Sequence, residues 1–175
     1  MKIKTVITLF CATLFTSGCA QIKNYSNIDT PLGTTLTTPV GGKIFGIANT
    51  KDLPNVFGKA DIYGGKVNTG FSELRFKGVA EDSSKVNFEY TELVIHSNEN
   101  VFTRYGQDGT SIYQDQYTGN TYMTTHKKPR ANITHMPPSV SNFSIPSSKK
   151  SLDFSGYKIT LIDITPYQLT YSITQ

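Results

Sequence analysis

The sequence predicts an all-β fold, an antiparallel sandwich or a small barrel, placed after a short leader and a polar tether. Hydrophobic residues make up 37% of the 175 residues, which is enough to form a core. Tyr and Thr are abundant and Trp is absent, and the first two residue types favour pleated, half-buried strands. Apolar and polar residues alternate with a period of two in several segments, whereas no segment after the leader keeps a helical period.

The clearest strands are predicted in the middle and at the end of the chain. Residues 72–80 alternate between apolar and charged side chains, which is typical of a half-buried strand. Residues 157–164 are apolar on both faces, so we expect a central strand there, and residues 167–173 alternate again after Pro166. Residues 52–65 are rich in turn formers but also apolar, which predicts a loop that folds back onto the core.

Two turn signals predict a β-meander in the middle of the chain. Asp108-Gly109 suits a tight turn between strands at 101–105 and 112–115. Gly119-Asn120 suits a second turn, before a strand at 121–125.

Three parts of the chain follow from these patterns. Residues 1–18 form the leader, and residues 19–39 are polar with few apolar positions, which predicts a flexible tether that ends in a short strand. Residues 40–175 are predicted to form one β-domain.

The leader has the features of an export signal peptide. Lysines at positions 2 and 4 give a positive start, and residues 5–15 form an apolar run that is too short to cross a bilayer as a helix. Small residues then lead to Cys19. The segment Phe15-Thr16-Ser17-Gly18-Cys19 resembles the lipobox of bacterial lipoproteins, although Thr stands where Leu is commonest in that class.

The resemblance implies a lipid anchor on Cys19. In that class the cysteine carries a diacylglyceryl thioether, the leader is cut off before it, and the new amino terminus is usually acylated. Several acyl chains hold a protein to a membrane far more firmly than one. In Gram-negative members an Asp after the cysteine retains the protein in the inner membrane. Here that residue is Ala20, so the resemblance implies the outer membrane, with the domain outside the cytoplasm.

Charge and motifs exclude several functional classes. The net charge is +4, but two of the 17 basic residues lie in the leader, so 15 basic residues face 13 acidic ones in the rest of the chain. Such a balance gives no clustered basic face for nucleic acid. The chain has no phosphate-binding glycine loop and no Gly-x-Ser-x-Gly elbow. We therefore expect no enzyme and no cofactor other than the covalent lipid.

Residues 126–150 are predicted to form one long loop, because they contain four prolines and only Phe143 and Ile145 hint at a strand. Loops of this length in compact domains are often functional or disordered. Basic residues bracket the loop and are candidates for contact with anionic lipid headgroups, lipopolysaccharide or a partner: Lys127, Lys128, Arg130, Lys149 and Lys150. The simpler interpretation is a solubilising surface, since prolines interrupt any continuous patch.

Thioether and imidazole groups near this loop form the one candidate metal site. Met123, His126, His135 and Met136 combine ligand types that suit copper, above all the cuprous ion, and His96 is a further candidate ligand. The spacing matches no compact ligand motif, and the competing interpretation is a core methionine beside exposed histidines.

The sequence thus predicts a non-catalytic, membrane-anchored envelope lipoprotein whose β-domain binds another envelope protein or component, or has a structural role. The alternative is a lipoprotein that binds a metal or a small molecule.

Overall fold

The structure, a computed structural model, describes residues 20–175, so the leader and Cys19 lie outside the described residues. Within that range the chain forms twelve strands and a five-residue helix. The strands are β1 Asn24–Ile28, β2 Thr35–Pro39, β3 Lys43–Asp52, β4 Lys66–Val79, β5 Lys85–Ser97, β6 Gly109–Gln114, β7 Thr121–His126, β8 Ile133–His135, β9 Ser139–Pro146, β10 Ser151–Phe154, β11 Tyr157–Ile164 and β12 Gln168–Thr174, and the helix is α1 Val101–Tyr105.

The described chain divides into two compact units. The larger, here called the sandwich unit, comprises Asn24–Lys51, Val67–Asn98 and Asn132–Gln175. The smaller, here called the hairpin unit, comprises residues 20–23, Asp52–Lys66 and Glu99–Ala131. Residues 40–175, predicted as one β-domain, therefore contribute to two units.

The sandwich unit confirms the predicted antiparallel sandwich. One sheet has the order β1-β3-β4-β5, and the far edge of β5 pairs with both β8 and β9. The other sheet has the order β10-β11-β12-β2. Neither sheet closes on itself, so the barrel alternative does not apply. The predicted strands at 72–80, 157–164 and 167–173 correspond to parts of β4, to β11 and to β12.

The core of the sandwich unit lies between its two sheets and is rich in aromatic rings. Buried residues of β3, β4 and β5 meet buried residues of β11 and β12. Phe154 of β10 packs against rings of the opposite sheet, with centroid distances of 4.9 Å to Tyr90, 6.0 Å to Phe45 and 6.2 Å to Phe143. Such offset and edge contacts stabilise beyond the area that they bury.

A buried hydrogen bond also joins the sheets. The hydroxyl of Tyr171 in β12 donates to the carbonyl oxygen of Ile44 in β3 at 2.7 Å. Both residues are almost fully buried, so water cannot replace this bond. Burial raises the pKa of the Tyr171 hydroxyl above its ordinary value, and the negative charge of Asp29 adds to the effect.

The prediction of a flexible tether over residues 19–39 is wrong for the described part of that range. β1 pairs with β3, and β2 pairs with β12. Only β2 corresponds to the short strand that was predicted at the end of the tether. After β1, Asp29 closes the connection: its carboxylate accepts from the Gly46 amide at 2.8 Å and pairs with Lys43. Backbone pairing overrides the polar composition here, because an edge strand needs few apolar side chains.

The prediction of one long loop over 126–150 is also wrong. β8 and the eight-residue β9 lie within it, and β9 pairs with β5 from Lys85↔Pro146 to Glu92↔Ser139. Phe143 stacks on Phe88 with a centroid distance of 5.5 Å, and Ile145 is buried. Since only these two positions of β9 face the core, the strand lacks a strong apolar signal in the sequence.

The predicted strand at 101–105 is instead the helix α1. The Asn100 side chain accepts hydrogen bonds from the amides of Phe102 and Thr103, while the Thr103 hydroxyl accepts from the Asn100 amide. This reciprocal cap starts a helix despite the β-forming residues. No helix in residues 20–175 is long and apolar enough to cross a membrane. The predicted turn at Gly119-Asn120 does connect β6 to β7.

Replacing Tyr171 with Phe tests the bond between the sheets. We expect Tyr171→Phe to lower the free energy of unfolding by about 1–2 kcal/mol, because the Ile44 carbonyl is left without its donor. Because the pKa of Tyr171 is higher in the folded chain than in the unfolded chain, its hydroxyl contributes to the free energy of unfolding. This contribution is full below the unfolded pKa of about 10 and is lost as the pH rises through the folded pKa. Urea unfolding from pH 8 to 11 measures both effects, and this part of the alkaline loss should disappear in the variant. Equal stability of the two chains at pH 8 would contradict the prediction.

Candidate functional site

Cys19, the predicted lipidation site, lies outside the described residues, but the residues that follow it are held in place. The Ala20 carbonyl accepts a hydrogen bond from the Ala60 amide at 2.9 Å. The Lys23 amide donates to the Asp52 carboxylate at 2.9 Å, and the Asp52 amide donates to the Lys23 carbonyl at 3.0 Å. The described chain is therefore fixed to the hairpin unit from its first residue.

Three of the five predicted basic residues lie together. Lys127, Lys128 and Arg130 line one open depression of about 360 Å³ in the hairpin unit, with Gln107 and Asp108 on its wall. Lys127 and Arg130 are exposed, and neither has a salt-bridge partner within residues 20–175. Their charges thus remain available to an anionic group.

Lys128 differs from its neighbours because it is part of the framework of the depression. Its amide donates to the Asp108 carboxylate at 2.7 Å, and its ammonium group donates to the Arg104 carbonyl at 3.3 Å. Arg104 is in turn held by Glu99 through two bonds of 2.8 Å. Those bonds from Arg104 lower the pKa of Glu99 against the opposing effect of burial, so the pair stays ionised at neutral pH.

The other two basic residues belong to the sandwich unit. Lys149 and Lys150 follow β9, and Lys150 lines a separate depression of about 300 Å³ with the end of β11, including Asp163, and the start of the β11–β12 connection. The five basic residues are therefore divided between the two units, three in the hairpin unit and two in the sandwich unit.

The predicted metal ligands are divided between the two units. Met123 and His126 lie three residues apart on β7 and so project from opposite faces of that strand. His135 and Met136 belong to the sandwich unit, where His135 is paired with Ile95 and His96 with Thr134 on β8. Within residues 20–175 no three His, Cys, Asp or Glu side chains are grouped as a metal site.

The β6–β7 hairpin is exposed on both faces. Every residue of β7 and all but the first of β6 are exposed. The register places Ile112 opposite Met123 on one face and Tyr113 opposite Tyr122 on the other, and all four side chains are at least half exposed. Because β6 and β7 pair only with each other, the outer edge of each strand also lacks a strand partner among the described residues.

The loop 52–65 was predicted to fold back onto the core. Leu53 is its one buried large apolar side chain, and it is not part of the core between the two sheets. Val56, Phe57, Ile62 and Tyr63 are 53%, 80%, 84% and 80% exposed. The sequence does carry a signal for this outcome. Asn55-Val56-Phe57-Gly58 and Asp61-Ile62-Tyr63-Gly64 share one pattern, Asn or Asp, two apolar residues, then Gly, which is turn chemistry that points the central side chains outwards.

No family model matches this chain, and neither the curated proteins nor the solved structures contain a significant match to it.

A melting experiment tests the metal hypothesis. We expect the melting temperature of the mature chain in detergent to be the same with excess cuprous ion, with Zn²⁺ and with a chelator, because Met123 and His126 project from opposite faces of β7 and cannot share one ion. A site filled at 100 times its dissociation constant would instead add about 2.7 kcal/mol of stability. A rise in melting temperature that Met123→Leu removes would contradict this expectation.

Proposed function

We propose that the chain is a lipid-anchored protein of the bacterial envelope that binds another envelope component through its hairpin unit, without catalysing a reaction. The anchor rests on the resemblance of residues 15–19 to a lipobox. Ala20, in place of Asp, favours the outer membrane of a Gram-negative host.

The observation that carries the binding proposal is the exposure of the β6–β7 hairpin. A two-stranded hairpin with no covered face is only marginally stable in water, so a covering partner would stabilise it. Its aromatic pair Tyr113 and Tyr122 and its apolar pair Ile112 and Met123 are side chains enriched at protein interfaces. Its free edges are also open to strand addition.

The charges beside the hairpin favour an acidic partner. β7 leads directly into Lys127, and the depression lined by Lys127 and Arg130 offers two exposed positive charges next to the hairpin's end. Charges at the rim of an interface steer association and select partners of opposite sign. A protein segment with acidic residues beside an extended or aromatic stretch fits this surface.

Replacing Cys19 tests the anchor. We expect Cys19→Ser to accumulate as an uncut precursor that takes up no labelled palmitate, because the lipid and the cleavage both depend on the thiol. Gel mobility and palmitate incorporation in cells measure this. Normal processing of the variant, or continued labelling, would contradict the lipoprotein assignment.

Photo-crosslinking in cells tests the binding surface. We expect a photoreactive residue at position 113 or 122 to give one defined crosslinked product, and the same residue at position 167 of the sandwich unit, which is more exposed than either, to give none. The double variant Lys127→Glu/Arg130→Glu should weaken the product about tenfold, because two attractive contacts become repulsive.

The matched control for this charge reversal is Lys158→Glu on β11, which should leave the product unchanged. No product at either hairpin position, or a product equally insensitive to all three substitutions, would rule out the hairpin as the binding surface.

A further inference from the structure

The two turns of the loop 52–65 expose more apolar surface than turns usually do. Turn centres favour Gly, Pro, Asn, Asp and Ser, yet both turns place two large apolar side chains there. We call Asn55–Gly58 and Asp61–Gly64 the apolar turns. Three of their four central side chains are at least 80% exposed. Exposed apolar groups clustered in one short loop are typical of a surface that meets a partner or a membrane.

The apolar turns are held rigidly in this exposed position. The Asn55 carboxamide oxygen accepts from the amides of Phe57 and Lys59 at 2.9 and 3.1 Å, and the Asn55 amide donates to the Lys59 carbonyl at 2.7 Å. Both turns end in a glycine with positive φ, +68° at Gly58 and +73° at Gly64, which other residues adopt only with strain.

A second set of bonds fixes the base of the loop. Leu53, fully buried, donates its amide to the Gly65 carbonyl and accepts from the Asp61 amide, each at 2.8 Å. The Asp61 carboxylate accepts from the Gly65 amide at 3.2 Å. With its backbone tied in this way, the loop is not free to turn its apolar side chains inwards.

The apolar turns lie beside the start of the described chain. Ala60, whose amide donates to the Ala20 carbonyl, is one of the two residues between the two turns. Cys19 immediately precedes Ala20, and consecutive Cα atoms are about 3.8 Å apart. A lipid on Cys19 would therefore be one residue away from Ala20, so no described segment separates the lipidated residue from the residue that is bonded to this loop.

The charges of the loop also suit a membrane surface. Its two carboxylates, Asp52 and Asp61, are buried and hydrogen-bonded, so they present little negative charge to solvent. Lys59 lies between the apolar turns. A half-buried lysine beside apolar side chains fits the boundary between acyl chains and anionic headgroups.

From these placements we infer that the apolar turns insert into the same membrane leaflet that holds the Cys19 lipid. This inference rests on the proposed lipid anchor. Phe57 and Ile62 would enter the upper acyl region, and Tyr63, with one apolar and one polar end, would sit at the headgroup level. The lipidated chain is then attached at three points and held in one orientation on the bilayer, whereas a lipid alone would let it turn.

Tryptophan reporters test the inference, because the chain has no tryptophan of its own. Phe57→Trp, Tyr63→Trp and Tyr167→Trp each create a single reporter, at positions that are 80%, 80% and 82% exposed. Tyr167 lies in the sandwich unit and is the matched control. The lipidated full-length mature chains are reconstituted into phosphatidylethanolamine and phosphatidylglycerol vesicles that contain lipid brominated along the acyl chain.

We expect the Phe57→Trp and Tyr63→Trp chains to emit at shorter wavelength in vesicles and to lose most of their emission to bromine at shallow depth, about 5–10 Å below the headgroups. The Tyr167→Trp chain should change in neither respect. Quenching at only one turn, or equal quenching at position 167, overturns the inference. A blue shift without quenching also overturns it, because the turns would then be covered by a second copy of the chain or another protein.

Mass spectrometry and vesicle flotation of the same samples separate this result from failure of the anchor. A chain that carries lipid on Cys19 and floats with unquenched turns overturns the inference alone. A chain that carries no lipid overturns the anchor and the inference together.

Discussion

The contact between the two sheets of the sandwich unit is the constraint on which its other features depend. Phe154 reaches across to three rings of the opposite sheet, and Tyr171 ties β12 to β3 through the Ile44 carbonyl. Because the core is formed between these faces, β1 and β9 can be polar strands at the margin. Their backbone bonds complete a sheet whose stability comes from burial elsewhere.

The hairpin unit, in contrast, is held together mainly by hydrogen bonds and not by a buried apolar core. Among its described residues Leu53 is the one buried large hydrophobic side chain, and the carboxylates Asp52 and Asp61 are buried beside the backbone groups that they bind. Hydrogen bonds, the α1 cap and the Arg104–Glu99 pair hold this unit together. A unit held in this way leaves its apolar side chains on the surface, where they are free to contact something other than the protein itself.

This contrast explains what the sequence could predict. β4, β11 and β12 alternate clearly because one face of each is in the core, and their position and type follow from that pattern. β9 was not predicted as a strand, because a strand at the margin of the sheet has only two side chains in the core. Residues 101–105 were misassigned because the local Asn100–Thr103 cap outweighed their β propensity. For the candidate site, Lys127, Lys128 and Arg130 are close in the sequence and line one depression in the structure. Whether an apolar turn faces inwards or outwards depends on its hydrogen bonds, which composition does not reveal.

The pairing of β2 with β12 sets the order in which this chain can fold. Thr37 and Thr170 face each other in that pair although 133 residues separate them in the sequence. The four-stranded sheet therefore cannot be completed until the last residues of the chain are present. Closure of so long a loop is slow. A chain that is synthesised from its amino terminus keeps β2 without this neighbour until β12 has been made. Completion of this sheet is therefore a late step in folding, whatever the order in which the other strands pair.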